Sequence, residues 1–284
     1  MSPESDPLND DKRRPTELER LPTPRRGLTL GLVVVAVSVI IMAILLPPST
    51  LLGKADVVGY AICHRITERS FSFGGRQMPL CARCTGTFLG ALVGLGAMLL
   101  YRRRWAAGLP PVPVLGVLVF FVALWGFDGL NSYLTFFPGL PHLYEPRNWL
   151  RLTTGLLNGL ALVTFVFPIF NFSIWREPSK ERVFRNLWEL LAVLPVLALL
   201  LFVIQGGVEF LLYPLALLSS LGVVMMLTLL NSVIAALTLG RESYALTWQQ
   251  ALVPLTVGAG LAILEMTALI LIRAYLTTTL GLTF

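Results

Sequence analysis

Seven runs of about twenty apolar residues follow one another along the chain, separated by short polar or proline-bearing stretches. Twenty residues is the length a helix needs to cross roughly 30 Å of hydrocarbon. The runs predict membrane-spanning helices over residues 27–46, 84–101, 111–129, 150–170, 187–205, 208–237 and 252–275, with an open boundary near 205–210. The expected fold is therefore all-α, a polytopic transmembrane bundle of about seven spans. The first run exceeds a signal-peptide core and ends in Leu46-Pro47-Pro48 without a small-residue cleavage site, so it is read as a retained helix. No sequence repeat relates the first four runs to the last three.

Composition agrees with the pattern. With 55% hydrophobic and 13% charged residues, and a mean hydropathy of +0.74, the chain does not describe a soluble globule. The net charge of +6 would ordinarily raise nucleic-acid binding, but no such motif is present, and in a membrane protein basic residues flank spans on the cytoplasmic side. If the spans alternate, most of the 22 Lys and Arg residues fall on the side of the N-terminus, including Arg102, Arg103, Arg104 and Arg241. That bias predicts a cytoplasmic N-terminus and an outward C-terminus. Residues 1–26, polar and rich in proline and charge, are expected to form a disordered cytoplasmic tail ahead of a membrane domain over 27–284.

The basic residues left on the outer side need another reason, and most lie in or near one segment. Residues 55–86, expected as a loop capping the non-cytoplasmic end, carry all three cysteines and Arg65, Arg69, Arg76 and Arg83. Cys81 and Cys84 form a CxxC, with Cys63 eighteen residues upstream. Two thiolates at that spacing can share a tetrahedral ion, and Cys63 with His64, His142 or Asp128 could complete a set like those of structural zinc sites. The same CxxC opens a predicted helix, whose positive end favours a reactive thiolate, so a redox pair is an alternative. A disulfide that merely staples the loop is a third. Alternation also brings Arg151 on the fourth span and Asp128, expected at the end of the third, to this face. Arg65, Arg69, Arg83 and Arg151 could present forked donors to a phosphate or carboxylate, or be neutralised by Asp56, Glu68, Asp128 and Glu145. On the second span Gly86, Gly90 and Gly94 recur every fourth residue, a spacing that admits a close helix neighbour. Glu265, mid-span in the last run, has Asn231 or Gln205 as candidate partners.

The elements Cys63-His64-Arg65, Arg69-Ser70-Phe71 and Pro79-Leu80-Cys81-Ala82-Arg83-Cys84-Thr85-Gly86, followed by Asp128, Asn148, Arg151 and Gly155, resemble the signature of domain-of-unknown-function family 2085. Its members are integral membrane proteins of bacteria and archaea. The resemblance covers about residues 55–160, adds little over the last three spans (187–276), and implies those positions as site residues without implying a reaction. The expected protein lies in a bacterial inner membrane with the signature loop extracytoplasmic. There Cys63, Cys81 and Cys84 with His64 or His142 bind a zinc-like ion, and Arg65, Arg69, Arg83, Asn148 and Arg151 bind an anionic lipid or polyprenyl-phosphate headgroup. Asp128, His64, Cys81 and Cys84 are the candidates should there be catalysis. The alternatives are a membrane thiol-disulfide oxidoreductase and a non-catalytic transporter or assembly factor. G-x-S-x-G, HExxH, P-loop and dinucleotide fingerprints are missing from the sequence.

Overall fold

A computed structural model describes residues 26–137 and 141–281. The expected polar tail over 1–26 lies, apart from Arg26, outside the described residues. Among those described, seven segments are long and apolar enough to cross a bilayer: Gly27–Leu45, Ala82–Leu100, Val112–Leu134, Asn148–Ile174, Leu187–Gln205, Glu209–Thr238 and Trp248–Thr279. The all-α, polytopic membrane architecture read from the sequence is the one observed. The helices are α1 (Arg26–Leu45), α2 (Leu51–Ile62), α3 (Ala82–Leu100), α4 (Val112–Leu134), α5 (Asn148–Ile174), α6 (Leu187–Leu191), α7 (Leu194–Gln205), α8 (Leu212–Thr238) and α9 (Trp248–Leu280).

Two departures from the hydropathy pattern have local causes. Part of the segment expected as a loop is α2, which starts where the Thr50 hydroxyl accepts the Gly53 N–H at 3.1 Å. The fifth span is two helices because Pro195, in the first turn of α7, has no N–H to continue the ladder from α6.

The centre of the bundle is the contact between α3 and α5, and glycine makes it possible. A Cβ added to Gly90 would lie 2.1 Å from the Leu156 carbonyl oxygen, one on Gly155 2.3 Å from that of Arg83, and one on Gly159 1.8 Å from that of Thr87. The helices touch backbone to backbone. Positions advance together along both, so α3 and α5 run parallel and begin at the same end of the bundle, called here the cysteine end. The expectation of a close neighbour for Gly86, Gly90 and Gly94 is met by α5 for the first two through its backbone, and for Gly94 through the Leu160 and Val163 side chains. Around this pair α4 leans on α5, α8 packs on both, α9 lies on α8, and α1 on α9.

Strands are short. An antiparallel pair, β1 (Ser72–Phe73) and β2 (Arg76–Gln77), folds over the cysteine end. At the far end a parallel pair joins β3 (Ala106–Gly108) to β4 (Ser179–Arg182). There the buried Arg103 holds Glu189 at 2.9 Å and the Arg182 carbonyl, while Trp105, Trp175 and Trp248 pack with ring centroids 4.3–5.2 Å apart, as an interfacial cluster does. Glu265 accepts from Asn231 at 3.0 Å, one of the partners the sequence offered.

Gly159→Ala should force α3 and α5 apart and destabilise the protein by about 1–3 kcal/mol, the range for overpacking. Gly116→Ala on α4, where a Cβ meets nothing within 4 Å, should be neutral or stabilising. Unfolding in mixed detergent micelles, followed by circular dichroism, checks both.

Candidate functional site

The cysteine end is built from segments far apart in the chain. Cys63 caps the C-terminus of α2 in an extended conformation, its N–H bonded to the Gly59 carbonyl. Cys81 is the N-cap of α3 and Cys84 lies in its first turn. A Cβ on Gly59 would fall 2.0 Å from the Pro79 carbonyl oxygen, so α2 presses directly on the Pro-Leu-Cys approach to α3. This brings Cys63 across eighteen residues to its partners: its sulfur accepts the Cys81 N–H at 3.3 Å, and the three Sγ atoms all lie within 4.8 Å of one another as free thiols. Hydrogen bonds from the Cys81 thiol, then the Cys84 thiol, hold the Cys63 pKa far below the ordinary thiol value, while donation to Cys63 raises that of Cys81. The three cysteines could hold a metal ion.

No histidine or carboxylate among the described residues joins this group. His142 sits 3.0 Å from Glu145 on the exposed loop after α4, and His64 is exposed. Leu80, Val223 and Met266 form the buried apolar surroundings.

Beside the sulfurs lies a carboxylate–guanidinium cluster. Asp128 is not at the end of its span as expected; α4 continues to Leu134, and Asp128 is buried at 1% exposure. It accepts from the Arg83 guanidinium, from the Tyr144 hydroxyl at 2.9 Å and, at the limit of bonding distance, from Thr154 Oγ1 at 3.5 Å. Burial, then the bond to Asp128, pushes the Tyr144 pKa up to about 12, so the phenol stays a donor. Arg151 donates to the Asn148 side-chain oxygen and to Ser132 Oγ, both at 2.9 Å. Arg69 donates to the Ser132 carbonyl at 3.3 Å and stacks on Phe136, 3.8 Å from the ring centroid. Burial, followed by the charge of Arg83, lowers the Arg69 pKa. Asn148 donates to the carbonyls of Glu68 (3.1 Å) and Ser70 (3.3 Å), tying α5 to the signature segment.

Arg69 and Arg151, which meet at Ser132, thus lie beside the Arg83–Asp128 pair, and among the described residues the Nε atoms of Arg65, Arg83 and Arg151 are buried without a hydrogen-bond partner. Arg65 is placed differently. It shares Asp56 of α2 with Arg76, at 2.9 and 2.8 Å. Ser132, Tyr144, Thr154 and Arg273 were not singled out in sequence as site residues. Ser132 and Thr154 carry no signal among apolar helix residues, and Tyr144 reads as one more interfacial aromatic.

Comparison with known proteins bears on the same stretch. The family model described as "Predicted membrane protein (DUF2085)" matches residues 63–165. An uncharacterized protein of Methanothermobacter thermautotrophicus is 38% identical over 101 residues, 36% of this chain and 80% of the relative. Another, from Methanocaldococcus jannaschii, is 31% identical over 116 residues, 41% of this chain and 68% of the relative. No solved structure matches the chain.

Asp128→Asn removes the counter-charge from Arg83 in a buried setting, and should destabilise by about 3–5 kcal/mol. Tyr144→Phe deletes one hydrogen bond from the same carboxylate and should cost about 1 kcal/mol. Side-by-side unfolding curves of the two variants measure the difference.

Proposed function

The chain belongs to the DUF2085 family of predicted membrane proteins, and we propose that it is a membrane-embedded binding protein in which a metal centre and an arginine pocket share one end of the bundle. Cys63, Cys81 and Cys84 hold a zinc ion that fixes α2 to the start of α3; a solvent or ligand atom, or a histidine brought in on loading, fills the fourth position. Arg69, Arg83 and Arg151, oriented by Asp128, Ser132 and Asn148, receive an anionic headgroup of a phospholipid or polyprenyl phosphate. The observation that carries this reading is the crowding of positive charge: Arg69 and Arg151 lie beside the Arg83–Asp128 pair, and among the described residues the Nε atoms of Arg83 and Arg151 are buried without a hydrogen-bond partner. Guanidinium forks match phosphate oxygens, and a bound anion would supply the missing acceptors. Arg65, committed to Asp56, stands outside the proposed pocket.

The charge bias supports an orientation. Arg102, Arg103, Arg104, Arg176, Lys180, Arg182, Arg185 and Arg241 lie toward the far end, so the far end is assigned to the cytoplasm and the cysteine end to the outside of the inner membrane. One observation favours a second reading, a thiol-disulfide couple: the three thiols are free and mutually close. Cys81→Ser would then trap a mixed disulfide with a partner.

Purified protein should carry about one zinc per chain with all three thiols reduced, and Cys81→Ser should lose the metal. No metal together with two oxidised sulfurs would favour the redox couple instead. In nanodiscs, phosphatidic acid should bind over phosphatidylcholine, and Arg151→Lys should weaken that preference by about tenfold while Arg76→Lys leaves it unchanged. Equal binding of both lipids would end the headgroup reading.

A further inference from the structure

The segment that carries Cys63 is held from a part of the chain that the family match does not reach. Arg273 lies on α9, outside residues 63–165. Its Nη1 donates to the carbonyls of Tyr60 at 2.8 Å and Cys63 at 2.7 Å, its Nη2 to that of His64 at 3.4 Å, and its guanidinium stacks 4.3 Å from the Tyr60 ring centroid. These are carbonyls at and just beyond the end of α2, where no further helical turn supplies donors and where a cation is favoured. Two residues beyond Cys63, Arg65 adopts a left-handed backbone with φ of 51°, a conformation that a non-glycine residue keeps only when its surroundings impose it. Gln77 holds that turn from the hairpin side, through the Arg65 carbonyl at 2.7 Å. The Cys63 backbone is thus fixed between the hairpin and α9, with its sulfur against Cys81.

We propose that Arg273 is the positioning residue of the cysteine centre: by gripping the Cys63 and Tyr60 carbonyls it sets where the Cys63 sulfur stands relative to Cys81 and Cys84. The inference rests on the metal reading above. It makes the last span part of the centre although it contributes no ligand to it. Lysine cannot reproduce the grip, because a single ammonium does not span three carbonyls and stack on Tyr60 in one fixed plane.

The test uses the full-length protein in detergent, titrated with cobalt(II) as a spectroscopic stand-in for zinc. Wild type should show thiolate-to-cobalt charge transfer and four-coordinate visible bands. Arg273→Lys and Arg273→Ala should bind about 10–100-fold more weakly, the usual effect of losing a group that orients a ligand, with altered visible bands. Glu265→Gln, which alters the α8–α9 contact at Asn231 but not this grip, should keep wild-type affinity and spectrum. If Arg273→Ala fails to fold, the lysine variant decides. Wild-type affinity and bands in the arginine variants would overturn the proposal and leave the metal reading standing. A wild-type protein that binds no cobalt would remove both.

Discussion

The direct backbone contact between α3 and α5 determines where everything else at the cysteine end can be. At Gly90, Gly155 and Gly159 each helix meets the other's carbonyl oxygens where a side chain would have stood. In hydrocarbon, helix association has no hydrophobic drive, so close dispersion contact of this kind is what holds two spans together. Because the two run parallel, the contact fixes their first turns side by side. Cys81, Arg83 and Cys84 come from one, Asn148 and Arg151 from the other. Neither set could be displaced without opening the glycine seam.

Charge is arranged on that base. Asp128 reaches the same place from α4, and Arg83, Tyr144 and Thr154 all address it. A carboxylate at 1% exposure in a membrane protein is tolerated because it is paired and fully addressed. The arginines are less completely served. Ser132 takes Arg151 with its hydroxyl and Arg69 with its carbonyl, and the Nε groups of Arg83 and Arg151 find no acceptor among the described residues. What sets this end of the bundle apart is the cluster of sulfurs beside these arginines, which the far end, where Arg103 meets Glu181 and Glu189, does not share.

Much of this was legible in the sequence. The spans could be read because their length is fixed by the bilayer, and the pairing of Cys81 with Cys84 because CxxC at a helix start keeps the two close; in sequence Cys63 is one candidate partner, and the contact of α2 with Pro79 is what brings it in. The glycine spacing on α3 announced a close neighbour; Gly155 and Gly159, which answer it on α5, carry the same spacing, but in sequence Gly155 reads only as a signature position. Helix α2 was hidden because twelve residues containing Lys54 and Asp56 fall below any span-length criterion. The division of the arginines was also beyond reach. Arg65 and Arg83 look alike in sequence, and only the fold decides that one meets Asp56 and the other Asp128. Sequence also leaves the fourth position of a metal set open, and proximity along the chain places His64 beside Cys63 without placing it among the three clustered sulfurs.

The depth of Asp128 has a consequence of its own. It lies six residues before the last residue of α4, which at 1.5 Å per residue is about 9 Å along the helix. Any group brought to this carboxylate would have to pass that distance below the end of α4 and shed hydrating water on the way. At that depth water screens charge poorly, so the attraction between Asp128 and Arg83 is felt more strongly than it would be between the same two groups at the surface.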